Sequence, residues 1–128
     1  MKKKILIVVA SYYENIAKSL LKSAKNKIKN KFTIKVINVP GAFEIPVTIS
    51  KNLNKFNGFI ALGCVIKGKT YHFELISNST TLGIMNLSIK YKKPIGDGII
   101  SSFNKAQAIK RTNKGKEAAE AVISILEQ

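Results

Sequence analysis

A single cysteine, a single histidine, a single arginine and only seven acidic side chains stand in this chain of 128 residues. One cysteine, Cys64, excludes an internal disulfide and suits a reducing compartment. Set inside an apolar stretch, it reads as a small buried residue. One histidine and one cysteine among scattered carboxylates cannot close a zinc site, so no metal is expected. No Walker loop or dinucleotide glycine fingerprint is present, which removes the triphosphate and nicotinamide readings. A phosphorelay receiver needs an acidic cluster at its strand ends, and there is none. No apolar run reaches membrane-spanning length. The opening Met1-Lys2-Lys3-Lys4 before Ile5 to Ala10 imitates a signal peptide, but the apolar stretch is short and helical patterning follows at once. It reads as a first strand. Repeats, low-complexity segments and linkers are also missing, so residues 1–128 are expected to form one domain in the cytoplasm.

What the chain has in excess is lysine. Of 22 basic residues, all but Arg111 are lysine, and the net charge is +15. Such a charge invites nucleic acid. Arginine's bidentate fork is the preferred reader of bases and phosphates, however, and the lysines are spread along the whole chain. They read as solvated faces that also attract small anions, and no nucleic-acid or membrane partner is expected. The 45% hydrophobic content supports a real core.

Two periods alternate along the chain. Lys4 to Ala10 is a continuous apolar run of strand length. From Glu14 to Lys29, Ile16, Ala17, Leu20, Leu21, Ala24 and Ile28 recur at helical spacing, with lysines opposite. Phe32 to Val39 alternates as a second strand, and Pro40-Gly41 marks a turn. Glu44 to Asn54 reads as a helix with Pro46 in its first turn, where no N–H partner is lost. Gly58 to Ile66 is a third strand. Phe73 to Lys92 is a long helix carrying Leu75, Ile76, Leu82, Met85, Leu87 and Ile89. Pro94 opens a fourth strand through Ser101, and Ser102 can cap a final helix with a break near Thr112 to Gly115. Strands apolar on both faces, separated by helices, predict a three-layer α/β/α fold around a four-stranded parallel sheet, flavodoxin-like in topology. So small a sheet leaves edges and flanks for a neighbouring subunit to cover.

That topology gathers Ser11-Tyr12, Val39 to Glu44 and Ile66 to His72 at the carboxyl ends of strands. His72, the lone imidazole, follows a cationic loop at a strand-to-helix junction and suits proton transfer near neutral pH. Gly68-Lys69-Thr70 can present N–H groups and a hydroxyl to a phosphate. Tyr12 either stacks a planar heterocycle or covers the core edge. Glu44 either accepts ligand hydrogen bonds or complements a helix dipole. Arg111 reads as a solvated charge or a phosphate clamp. Asp97, inside an apolar strand, points to a polar site or an interface. The combination fits acid/base chemistry on a small anionic substrate.

Two long motifs sharpen this reading. Val39-Pro40-Gly41-Ala42-Phe43-Glu44-Ile45-Pro46 and Gly63-Cys64-Val65-Ile66-Lys67-Gly68-Lys69-Thr70-Tyr71-His72-Phe73, with a late Asn113-Lys114-Gly115, closely resemble the 6,7-dimethyl-8-ribityllumazine synthase family over nearly the whole chain. The resemblance implies condensation of 5-amino-6-(D-ribitylamino)uracil with 3,4-dihydroxy-2-butanone 4-phosphate in riboflavin biosynthesis, with neither metal nor organic cofactor. It matches Tyr12 to the aromatic stacked on the pyrimidine, and Ala42, Phe43 and Glu44 to the segment contacting the uracil and ribityl chain. Val65 and Ile66 match the strand end against the heterocycle, and His72 the catalytic proton-transfer residue. Lys69, Thr70, Arg111 and Lys114 match the phosphate site, with Arg111 reaching in from an adjacent subunit and Lys110 as a substitute for one of Arg111 and Lys114. Asp97 matches a pyrimidine-side position where the family often has Phe or Asn, and Lys69 stands where an acidic or small residue is usual. These departures, with the shortened stretch that leaves Arg111 and Lys114 only three residues apart, keep a catalytically inactive lumazine- or flavin-binding homologue as the alternative. The resemblance also implies self-association, as a homopentamer or a multiple of it, with riboflavin synthase a candidate partner. Many members carry a segment before the first core strand that ties subunits together; this sequence starts almost at that strand, so a pentamer is expected and a larger shell is not inferred.

Overall fold

Six consecutive residues, Ile5 to Ala10, are all buried, which a strand permits only when both faces of its sheet are covered. They belong to β1 (Lys4–Ala10), which is joined in a parallel sheet by β2 (Thr33–Val39), β3 (Gly58–Ile66) and β4 (Ile95–Ser102) in the order β2-β1-β3-β4. Between and after the strands run α1 (Glu14–Ile28), α2 (Ile45–Lys51), α3 (His72–Tyr91), α4 (Lys105–Ile109) and α5 (Lys114–Leu126). The computed structural model describes residues 2–128. Ile5, Ile7 and Val9 pack with Leu20 and Ala24 of α1 and Ala119 and Val122 of α5. Leu6, Val8 and Ala10 face the opposite way, onto Ile45 and Ile49 of α2 and Ile84 of α3. The three-layer, flavodoxin-like α/β fold is the one the alternating periods predict.

Two glycines let α5 approach closely. A Cβ at Gly96 of β4 would overlap the carbonyl oxygen of Ala118, and one at Gly115 would overlap the carbonyl oxygen of Leu20 on α1. The start of α5 is therefore wedged against α1 and its middle against β4. Ser23 adds a brace by donating to the carbonyl of Thr112 at 2.9 Å. The short connection between α4 and α5, which carries Arg111, is held from both sides.

Element ends differ from expectation in three places. The helix expected to reach Asn54 stops at Lys51, and the turn beyond it buries Leu53 and Phe56. The final helix is two helices, with the break at 110–113, two residues ahead of the expected Thr112 to Gly115. Its cap is Asn104, whose side chain accepts the Gln107 N–H at 2.9 Å. Ser102 instead closes β4 opposite Ile66, and its hydroxyl donates to the carbonyl of Asn104. No helix among the described residues is long and apolar enough to cross a membrane.

Candidate active site

The carboxyl ends of β1 and β3 open onto a cleft of about 390 Å³, closed by the turn after β2 and the first turns of α3. An open parallel sheet places its ligands at this edge. Tyr12, Ala42, Phe43, Glu44, Val65, Ile66 and His72 all line it, so this one cleft collects most of the residues singled out in the sequence. Tyr12 and Phe43 are exposed at 75% and 59%, aromatic faces presented to the opening without a core to cover. His72 is the first residue of α3, reached through the exposed loop 67–71.

Glu44 ends the single 3-10 turn Ala42–Glu44 that follows Gly41. Its Oε1 accepts the Gly41 N–H at 3.0 Å, which fixes the carboxylate inside the cleft before any ligand arrives. Its own carbonyl accepts the Thr48 hydroxyl at 2.8 Å, tying the turn to α2. Pro46 sits in the first turn of α2 as expected.

Three lining residues escaped the sequence reading, Tyr13, Cys64 and Ile76, while Gly41 belongs to the segment 39–44 already expected at this edge. Tyr13 meets Tyr12 edge-on, with ring centres 4.9 Å apart. Burial, then the neighbouring Tyr12 and Cys64, raise its phenol above the ordinary value. Cys64 is buried as expected, yet it also forms part of the cleft wall. Burial pushes its thiol up to about 11, so it stays protonated and is no nucleophile at neutral pH. The doublet Tyr12-Tyr13 was the available signal, but one residue more or less past a strand end decides which tyrosine meets solvent.

The remaining candidates lie elsewhere. Asp97, Arg111 and Lys114 line a second cleft of about 400 Å³ at β4, together with Phe103 and Gln107. The two clefts have no lining residue in common. The three-residue spacing of Arg111 and Lys114 follows from the tight α4–α5 connection, in which the Lys114 N–H donates to the Arg111 carbonyl at 2.9 Å. Lys110 is exposed and lines neither cleft. Asp97 is exposed, and its Oδ1 accepts the Ile99 N–H at 3.0 Å. Lys69 and Thr70 line neither cleft; they sit on the exposed loop, where Thr70 Oγ1 accepts the His72 N–H at 3.4 Å. Among the described residues no group of three or more His, Cys, Asp or Glu could hold a metal ion.

A family model described as 6,7-dimethyl-8-ribityllumazine synthase matches residues 2–128. The chain belongs to that family. Similar proteins named 6,7-dimethyl-8-ribityllumazine synthase occur in Bartonella tribocorum, 41% identical over 98% of this chain and 91% of the relative. One in Agrobacterium fabrum is 39% identical over 96% and 92%, and one in Novosphingobium aromaticivorans is 38% identical over 96% and 94%. As a lumazine synthase family member the chain is an enzyme, a transferase. Its first cleft is lined by parts of both long motifs, and its second by Arg111 and Lys114.

Proposed function

We propose that the chain condenses 5-amino-6-(D-ribitylamino)uracil with 3,4-dihydroxy-2-butanone 4-phosphate to 6,7-dimethyl-8-ribityllumazine, releasing phosphate and water, in riboflavin biosynthesis. The observation that carries this reading is the convergence of Tyr12, Phe43, Glu44 and His72 on one cleft at the carboxyl edge of the sheet. Tyr12 and Phe43 suit a planar pyrimidine, Glu44 suits the hydroxyls of a ribityl chain, and Val65 and Ile66 flank the ring. His72 moves protons through imine formation and phosphate loss. The amine and ketone are intrinsically reactive, so holding them together supplies most of the acceleration.

The phosphate needs cations that this cleft lacks. Arg111 and Lys114 line the other cleft of the same chain, so the proposed site forms between two copies. One copy gives Tyr12, Glu44, His72 and the loop with Lys69 and Thr70; its neighbour gives Arg111, Lys114 and Asp97. Exposed apolar side chains support such packing. Leu75, Leu82, Met85 and Ile89 follow one another along a single face of α3, each more than half exposed. A ring of copies, five in the arrangement implied by the family resemblance, would cover this face and complete each site.

The deciding experiment is a turnover assay with both substrates, following the lumazine chromophore against the uncatalysed background. A rate above background that vanishes without the phosphate substrate supports the synthase. Background turnover by a folded oligomer favours the alternative, a binding-only homologue, with Asp97 and the short stretch between Arg111 and Lys114 as the first suspects.

A further inference from the structure

Glu74, in the first turn of α3, has one carboxylate oxygen, Oε2, sealed from solvent without a hydrogen-bond partner. A carboxylate oxygen is costly to bury unpaired, so its position requires a reason. The other oxygen stands 4.0 Å from Nζ of Lys67, the residue that follows β3. That ammonium lies 5.5 Å from the centre of the Phe103 ring, just past β4. The Lys67 N–H donates to the Ser102 carbonyl at 2.9 Å. One helical turn beyond Glu74, the Ser77 hydroxyl is 3.3 Å from that of Ser101. A polar strip on α3 thus clasps the ends of β3 and β4 together.

The Lys67 and Glu74 side chains are 47% and 33% exposed, so their attraction adds little to global stability. Its effect is local: Lys67 is the root of the loop that carries Lys69 and Thr70 to His72. Glu74 itself lines neither cleft.

We infer that Glu74 is a positioning residue which, through Lys67, holds the 67–71 loop in the shape that receives the substrate's phosphate, a role that rests on the activity proposed above. Without the carboxylate the Lys67 ammonium is released from its seat between Glu74 and Phe103. The loop then loses its order, and binding of the phosphate substrate must restore it. The pyrimidine, held by Tyr12, Phe43 and Glu44 on other elements, does not feel this cost.

Steady-state kinetics on the full-length chain, with Glu74→Gln, Lys67→Met and the double variant, tests the assignment. The expected result is a KM for the butanone phosphate raised about three- to tenfold in each single variant, the ordering cost of one or two side chains. The KM for the pyrimidine stays unchanged, and the double variant is no worse than either single one, because both break the same contact. Equal rises in both KM values, additive single effects, or an unmoved Glu74→Gln would overturn the positioning role while leaving an active wild type. A wild type without turnover would overturn the proposed activity and the role with it. Thermal melting of each variant shows that the fold is retained.

Discussion

Oε1 of Glu44 lies 3.0 Å from the amide nitrogen of Gly41, three residues earlier in the same turn. The hydrogen bond presets an acceptor in the cleft. A Cβ at position 41 would sit 3.2 Å from that oxygen, close enough that the carboxylate would have to give by a few tenths of an ångström.

Replacing the carboxylate should therefore weaken pyrimidine binding more than it weakens the fold. For Glu44→Gln the expected outcome is a KM for the ribitylaminouracil raised about ten- to a hundredfold, from a charged hydrogen bond worth about 1.5–3 kcal/mol. Melting temperature should barely move. Steady-state kinetics at saturating butanone phosphate checks this, and an unchanged pyrimidine KM would remove Glu44 from the site.

His72 and Arg111 should fail in different ways. His72→Ala is expected to slow turnover by severalfold to tens of fold, because proximity remains when the proton carrier is lost. Arg111→Ala should mainly raise the KM for the phosphate substrate. Initial-rate measurements varying each substrate in turn separate the two patterns; no loss in either variant would sink the assignment.

Mixing tests whether the site is shared. At butanone phosphate far below its KM, a Glu44→Ala/His72→Ala variant and an Arg111→Ala variant each cut the rate at every site in their own assemblies. Co-expressed in equal amounts, they should recover about a quarter of wild-type activity, since about a quarter of head-to-tail contacts then unite two intact halves. Activity no greater than that of the separate variants would place the site within one chain.

Cys64 offers a pH readout. Burial pushes its thiol from the ordinary 9.0 up to about 11, so alkylation of the folded protein should be slow at pH 8 and gain about tenfold per pH unit toward pH 10. The unfolded chain should react as an ordinary thiol does. Because the folded value lies above the unfolded one, the thiol's contribution to stability is full below pH 9 and is lost as pH rises through 11. Mass spectrometry of timed alkylation checks the rate, and pH-dependent denaturant melts check the sign.

Gly96→Ala should be damaging although it adds only a methyl group. The added methyl meets the backbone of Ala118 rather than a flexible side-chain end, so α5 must shift. A loss of about 1–3 kcal/mol is expected, read as a drop of several degrees in thermal melting. An unchanged melting temperature would mean that α5 is free to move off the sheet.

Much of the fold is legible because burial writes itself into the strands. Ile5 to Ala10 cannot be apolar throughout unless both faces are covered, and the helical spacing of Ile16, Leu20, Ala24 and Ile28 turns one stripe of α1 inward. The same logic fails on α3. Leu75, Leu82, Met85 and Ile89 look like core positions in the sequence and are exposed in the single chain, because apolar spacing does not tell a face packed on the chain's own core from one left outside it. The cleft residues were legible where motif and strand end coincide, as at Glu44 and His72. The separation of Arg111 from them came only from the family resemblance, and residue patterning alone does not give it, since it depends on where β4 lies beside β3. Ser102 and Asn104 both satisfy a cap's chemistry, and only the last residue to pair with β3 decides between them.

On the proposed pairing, two clefts without a common residue make catalysis a matter of counting contacts rather than copies. A lone copy has two unmatched halves and no working site. An open row always wastes one half at each end. Only a closed ring gives every copy a complete partner on both sides, so specific activity would rise with assembly and level off at closure. Dilution of the enzyme would then reveal, in its turnover per chain, the concentration at which rings open.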